Sequence, residues 1–303
     1  MALIGVIDER LRGELSDGYF PEGSILRRVH SERAVGLFYG QRALMIGALN
    51  PLAFVGTTEH TNAKLRPFQR LSHTAEVFET IFFGTRAEAD RALAFVQRLH
   101  EQVRGEMPED AGKVRPGTPY SACDPELMLW TLAVIADSGP FFYELFVDRL
   151  GEDERERLWQ EYVRFGELFG MPREVAPPSH REFRKWFEGM LDSEEMHLTP
   201  NAHQIGHATA FEIPMPAYRA PAKAVHDLIM LGSLPARVRE LYGVDYNRRQ
   251  QRAFRAVVRG LRGARPLTPR SIRKGYNTGH FRMVARTERR RLRRGERTPQ
   301  VAA

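Results

Sequence analysis

Pro67-Phe68-Gln69-Arg70-Leu71-Ser72-His73-Thr74-Ala75-Glu76-Val77-Phe78-Glu79-Thr80-Ile81-Phe82-Phe83-Gly84, followed by the run from Thr85 through His100 to Gly105, is the stretch on which the fold turns. Arg70, His73, Thr74 and Val77 stand at i, i+3, i+4 and i+7, so a guanidinium, an imidazole and a hydroxyl share one helical face. Gly84 stops this helix, and Thr85 with Glu88 has the spacing of a capping box, which starts a second helix near Arg86. Leu93, Val96 and Val103 share a stripe with His100, aiming that imidazole inward. Two neighbouring helices thus each present a histidine to the core. In the plain reading both are core side chains hydrogen-bonded to carbonyls. In the sharper one, a neutral imidazole ligates iron and holds a haem from its proximal side, while the facing helix lines the distal side. Spacing leaves both open.

Helical patterns continue outward from this hairpin. Ser31 to Leu49 reads as a helix rich in small residues, among them Ala34, Gly36, Gly40 and Gly47, which let backbones approach closely. Asn50-Pro51 ends it, because proline lacks a donor and clashes with the preceding turn. Asp124-Pro125 fits an N-cap followed by N1, opening a helix through Met128, Trp130 and Leu132. Further helices are predicted over Phe141 to Leu150, Glu152 to Phe169 and His180 to Leu191. No strand-like alternation of useful length occurs, so the class is all-α, a single multi-helix domain. Tyr120 and Trp130 have the size to wall an apolar pocket, and equally to fill a core.

A rival site lies at Glu195 to His207. His203 and His207 at i, i+4 match the two-histidine geometry of zinc hydrolases, with Glu195 or His197 as a further ligand. The glutamate that serves such enzymes as base is Gln204 here, which removes the mechanism. Pro200, Gly206 and Pro214 argue against a long helix, so this segment reads as a loop over a substrate entrance.

Charge is unevenly placed. From Arg248 onward eighteen basic residues face two acidic ones, a net +16, so the chain total of +7 leaves −9 for residues 1–247. Phe254, Val257, Val258 and Leu261 form one stripe of a basic amphipathic helix over Arg248 to Arg262. Docking on the acidic body is its expected use; peripheral contact with an anionic membrane is the other. Residues 286–297 read as a solvated tail whose phosphate binding would be non-specific, so no sequence-specific nucleic-acid partner is expected. Cys123 stands alone, which excludes an intramolecular disulfide and any multi-cysteine cluster. The apolar run Met1 to Ile7 is too short for a signal peptide or membrane helix, and no later stretch spans a bilayer, so a cytoplasmic protein is expected.

In order and spacing, the series Arg28-Val29-His30-Ser31-Glu32, Gly40-Gln41-Arg42-Ala43-Leu44, Asn50-Pro51-Leu52-Ala53, Arg70-Leu71-Ser72-His73-Thr74, Phe83-Gly84 and His100 resembles the catalytic domain of the rubber oxygenases. That family includes the latex clearing proteins and the fungal endoplasmic-reticulum oxygenase of mycophenolic acid biosynthesis. The resemblance continues through Tyr120-Ser121-Ala122-Cys123-Asp124-Pro125, Trp130 and Leu234-Pro235-Ala236-Arg237. It implies His100 as the proximal ligand to the iron of haem b, with Arg70 and Thr74 as polar residues of the distal helix. His73 stands where several latex clearing proteins have a lysine that approaches the iron. Glu59 is the nearest match to a glutamate proposed there as base, though its spacing differs. His60 could reach a haem propionate. Where many relatives have a histidine soon after the tryptophan, this chain has Trp130-Thr131-Leu132.

The resemblance therefore implies a helical haem-binding domain, taken over residues 1–265, and the charge distribution adds a basic, partly disordered extension over 266–303. The implied reaction is oxidation of an apolar, isoprenoid or lipid-like substrate by dioxygen, with an electron donor the sequence does not name. Arg70, His73, Thr74 and Glu59 are the expected catalytic residues, and His100, Arg70 and His60 the expected haem contacts. A hydrolase using His203 and His207 and a non-catalytic haem binder are the alternatives.

Overall fold

A computed structural model describes residues 17–60 and 67–296. The chain enters through α1 (Ile25–His30), whose first turn is capped by the Ser24 hydroxyl, then α2 (Arg33–Gly36) and α3 (Tyr39–Gly47). One helix was expected over 31–49, and two form. The break falls at Phe38, which leaves helical geometry and buries its ring against Phe142, with centroids 5.3 Å apart, and His226 at 5.0 Å. Asn50 then caps α4 (Pro51–Glu59), its side chain accepting from the Ala53 amide at 3.0 Å, with Pro51 at N1 where no donor is needed.

The central hairpin forms as its sequence dictates. α5 (Pro67–Phe83) ends at Gly84, and α6 (Arg86–His100) begins on a complete capping box. The Glu88 amide donates to the Thr85 hydroxyl at 3.3 Å, and the Thr85 amide to the Glu88 carboxylate at 2.8 Å. A two-stranded antiparallel ribbon follows, β1 (Arg104–Glu106) with β2 (Pro119–Ser121). It leads into α7 (Pro125–Phe146), which buries twelve of its 22 residues and is capped by Asp124. α7 runs unbroken through Pro140, where the pattern predicts a new helix at Phe141. Burial on several sides, through Trp130, Ala133, Phe142 and Tyr143 among others, outweighs the one hydrogen bond that Pro140 cannot donate.

The remaining helices wrap this core. They are α8 (Glu152–Leu168), α9 (His180–Asp192), α10 (Pro200–Phe211), α11 (Ala220–Ser233), α12 (Ala236–Leu241), α13 (Arg248–Ala264), α14 (Arg270–Arg273) and α15 (Thr278–Arg293). α10 replaces the expected entrance loop. Pro200 takes its N1 position, the Thr199 hydroxyl caps it, and Gly206 lets Tyr242 pack where any Cβ would collide with the phenol. α13 docks by its apolar face on α11 and α7, with the Phe254 ring seated on Gly232 and the Arg262 guanidinium donating to the Glu144 carbonyl at 2.9 Å.

α15 lies along α5, burying Phe281, Val284 and Ala285. Glu79 accepts from the Asn277 amide at 2.6 Å and from the Thr278 hydroxyl, and Arg282 pairs with Glu76 at 2.9 Å. Residues 286–293, expected as tail, are the second half of this helix. Its apolar stripe begins upstream at Phe281, outside a window opened at Arg286. No helix among the described residues is long and apolar enough to cross a membrane.

Candidate active site

α5 turns one face, from Arg70 through Thr74 and Phe78 to Phe82, onto a cavity of about 230 Å³. α3 contributes Tyr39, Gly40, Ala43 and Gly47, so the small residues noted in the sequence leave room for this space. α7 adds Trp130, Thr131 and Val134, α10 adds Ile205 and Thr209, and α15 adds Phe281. The lining is mainly apolar, the usual make-up of a small-molecule site.

Arg70 holds the junction of this cavity with the hairpin. Its guanidinium donates to the Thr57 hydroxyl at 2.9 Å, tying α5 to α4. Burial lowers its affinity for the proton. Because α5 and α6 run antiparallel about Gly84, Arg70 and His100 fall opposite each other at the open end. The charge of Arg70 is accordingly felt at His100: burial first, then this cation, depresses the imidazole below its usual range and keeps it neutral. The His100 ring is half-buried, with the Phe169 ring 6.4 Å away and near-parallel. His100 does not itself line the cavity.

The other sequence-predicted residues spread out. Thr74 lines the cavity, whereas His73, the residue before it on α5, is exposed and does not line it. Glu59 ends α4, exposed, and borders a separate, more polar hollow of about 300 Å³ with Met107 and Asn201. His60 caps the C-terminus of α4 and meets the Tyr120 hydroxyl at 3.0 Å. Trp130 walls the cavity and is fixed by its indole donating to the Gly47 carbonyl at 3.1 Å. His203 and His207 do share a face of α10, with rings 6.1 Å apart and parallel. His203 lies 3.2 Å from the Tyr242 carbonyl and His207 3.3 Å from Glu212. Among the described residues no group of three or more metal-ligating side chains gathers, so the pair lacks the third ligand a zinc hydrolase needs.

Among the lining residues given no role from the sequence are His30 and Thr209. His30 is buried against Phe82, with centroids 4.4 Å apart, and Tyr39, with its Nε2 2.8 Å from the Tyr162 hydroxyl. Burial pushes its pKa down to about 3. A histidine within Val29-His30-Ser31, flanked by arginine and glutamate, carries no local mark of burial. Thr209 is 1% exposed, and its hydroxyl has no hydrogen-bond partner among the described residues. Only its spacing of four from Ile205 on α10 hinted at an inward face.

No curated protein and no solved structure matches the chain. Residues 27–263, however, match the family model described as ER-bound oxygenase mpaB/B'/Rubber oxygenase, catalytic domain, and on that match this all-α chain belongs to that family of oxygenases.

Proposed function

We propose that the protein is a haem b-dependent oxygenase acting on an apolar, isoprenoid or lipid-like substrate, with His100 as the proximal ligand to iron. The observation that carries the reading is the meeting of His100 and Arg70 at the open end of the α5–α6 hairpin, beside an apolar cavity. The donor set fits the group. A half-buried imidazole kept neutral has its lone pair free for iron, and a guanidinium beside it suits a propionate or a developing negative charge. Haem bound there would supply the dioxygen and electron-transfer chemistry that side chains lack.

This chain's own residues then have separable tasks. Arg70, anchored by Thr57, holds a fixed positive charge at the cavity edge. Thr74 offers a hydroxyl on the same wall. Trp130, Phe78 and Phe82 exclude water from an apolar substrate. His73, exposed on α5, would have to turn inward to act, and Glu59 would act from the neighbouring hollow.

The absorption spectrum of the purified chain supplied with haem is the test. A Soret band in the wild type, lost in His100→Ala while the far-ultraviolet circular dichroism stays helical, is the expected result. His73→Ala should leave the band in place. A wild type without the band, or a His100→Ala variant that retains it, removes haem ligation by His100.

A further inference from the structure

We propose that the outer face of α13, with the turn and the short helix α14 that follow it, is a docking surface for an anionic lipid bilayer. From Asn247 to Gly275 the chain carries ten basic residues and no acidic one. Those that turn toward the body are engaged there: Arg262 donates to the Glu144 carbonyl, and Arg265 and Lys274 lie 2.8 and 3.8 Å from the Glu32 carboxylate. Arg248, Arg252, Arg255 and Arg259 are placed differently. At i, i+4, i+7 and i+11 they form one exposed stripe of α13, away from the side that Phe254, Val257 and Val258 turn inward. Among the described residues none of the four is in an ion pair. Like charges at these spacings repel one another, and an anionic partner relieves the repulsion.

Charge complementarity by itself would admit a nucleic acid as readily as a bilayer, and the apolar side chains decide between them. Leu267, which ends the 3-10 turn Arg265–Leu267 after α13, is 87% exposed, and Ile272 on α14 is 61% exposed. They are the two most exposed large aliphatic side chains among the described residues, and Arg270 stands exposed between them in sequence. A phosphodiester backbone gains nothing from such groups. The one aromatic ring of the segment, Phe254, is seated on Gly232 and is not offered to a base. A bilayer uses both features, its headgroup charge taking the guanidiniums and its acyl boundary taking the two side chains. The apolar stripe of α13 that the sequence offers to a membrane is occupied by α11, so the contact falls on a different surface. It is peripheral, goes beyond the oxygenase reading and does not rest on it.

Sedimentation of the full chain with vesicles is the test, using phosphatidylcholine alone and an equimolar mixture with phosphatidylserine. The chain should pellet with the anionic vesicles, scarcely with the neutral ones, and be released by added salt. Arg252→Gln with Arg255→Gln should weaken binding by about 25-fold, roughly fivefold for each guanidinium. Arg248→Gln with Arg259→Gln is the second pair, and should act alike. Leu267→Ser with Ile272→Ser should weaken it by about tenfold. All six side chains are exposed, and an unchanged thermal midpoint separates lost contact from lost fold. Equal binding to the two kinds of vesicle, no binding to either, or anionic binding undiminished by Leu267→Ser with Ile272→Ser overturns the proposal. Duplex DNA that displaces the vesicles and binds that variant as well as the wild type makes the face a nucleic-acid surface. A dimer of the chain that dissociates in an arginine variant makes it a contact with a second copy; either result also overturns the bilayer.

Discussion

His30 shows how one enclosed side chain can govern the response of the whole protein to acid. The unfolded chain binds a proton on this imidazole near pH 6.5, whereas the folded protein does not until about pH 3. Between those values the unfolded state holds more protons, so stability is full above 6.5 and falls as the pH drops toward 3. The loss from this group reaches on the order of 5 kcal/mol at the acid end. His30→Gln keeps a polar partner for Tyr162 without a titrating ring. Its urea midpoint should therefore fall less steeply than that of the wild type between pH 6 and 4; parallel slopes would remove His30 as the cause. Arg42 makes a second claim at this scale. It donates to Asp137 at 2.6 Å, to the Ser138 hydroxyl at 2.8 Å and to the Ser233 carbonyl at 3.0 Å, with its side chain only 4% exposed. Arg42→Leu strips these partners and should cost roughly 3–5 kcal/mol by chemical denaturation. Cavity-lining residues were legible where helical spacing gathered them, as with Arg70 and Thr74, although the same reading placed His73 on that face and it does not line the cavity. They were illegible where distant elements supplied the surroundings: His30 is defined by Tyr162 and Phe82, and Thr209 by the cavity it borders.

Helix identities were legible wherever the first turn signals itself. The Thr85–Glu88 box and the cap at Asp124 form as written, because each satisfies orphan amides with side chains close by in sequence, while Asn50, read only as a helix end, also caps the helix that follows. Proline misled in two ways. At Pro200 it is an N1 residue, and inside α7 Pro140 is carried by packing that no local pattern reveals. The seat of α13 gives an element-level prediction. Any Cβ at residue 232 would drive into the Phe254 ring, whereas Gly260, on α13 itself, has open space around it. Gly232→Val should lower stability by about 1–3 kcal/mol through overpacking. Gly260→Ala should raise it by up to about 1 kcal/mol through better helix propensity. If the two variants move the thermal midpoint in the same direction, close seating of α13 on α11 is not what holds it.

At the scale of the molecule, the family match ends at residue 263, yet the cavity does not close there. Asn277 and Phe281, both beyond the match, line it, and α15 covers α5 from outside. The strongly basic C-terminal segment is thus partly structural: Arg282 pairs with Glu76, and Arg265 with Glu32, joining the positive end to the negative body. Cutting the chain after Gly275 removes Phe281 and Val284, each contributing about 1.5–3 kcal/mol of burial, and opens the cavity wall. That truncation should lower the urea midpoint and make the chain bind a hydrophobic dye. Cutting after Glu296 leaves α15 whole and should do neither. The outcome that sinks the idea is a chain ending at Gly275 that keeps full stability and binds no dye, for the cavity would then be closed by the family-matched helices alone.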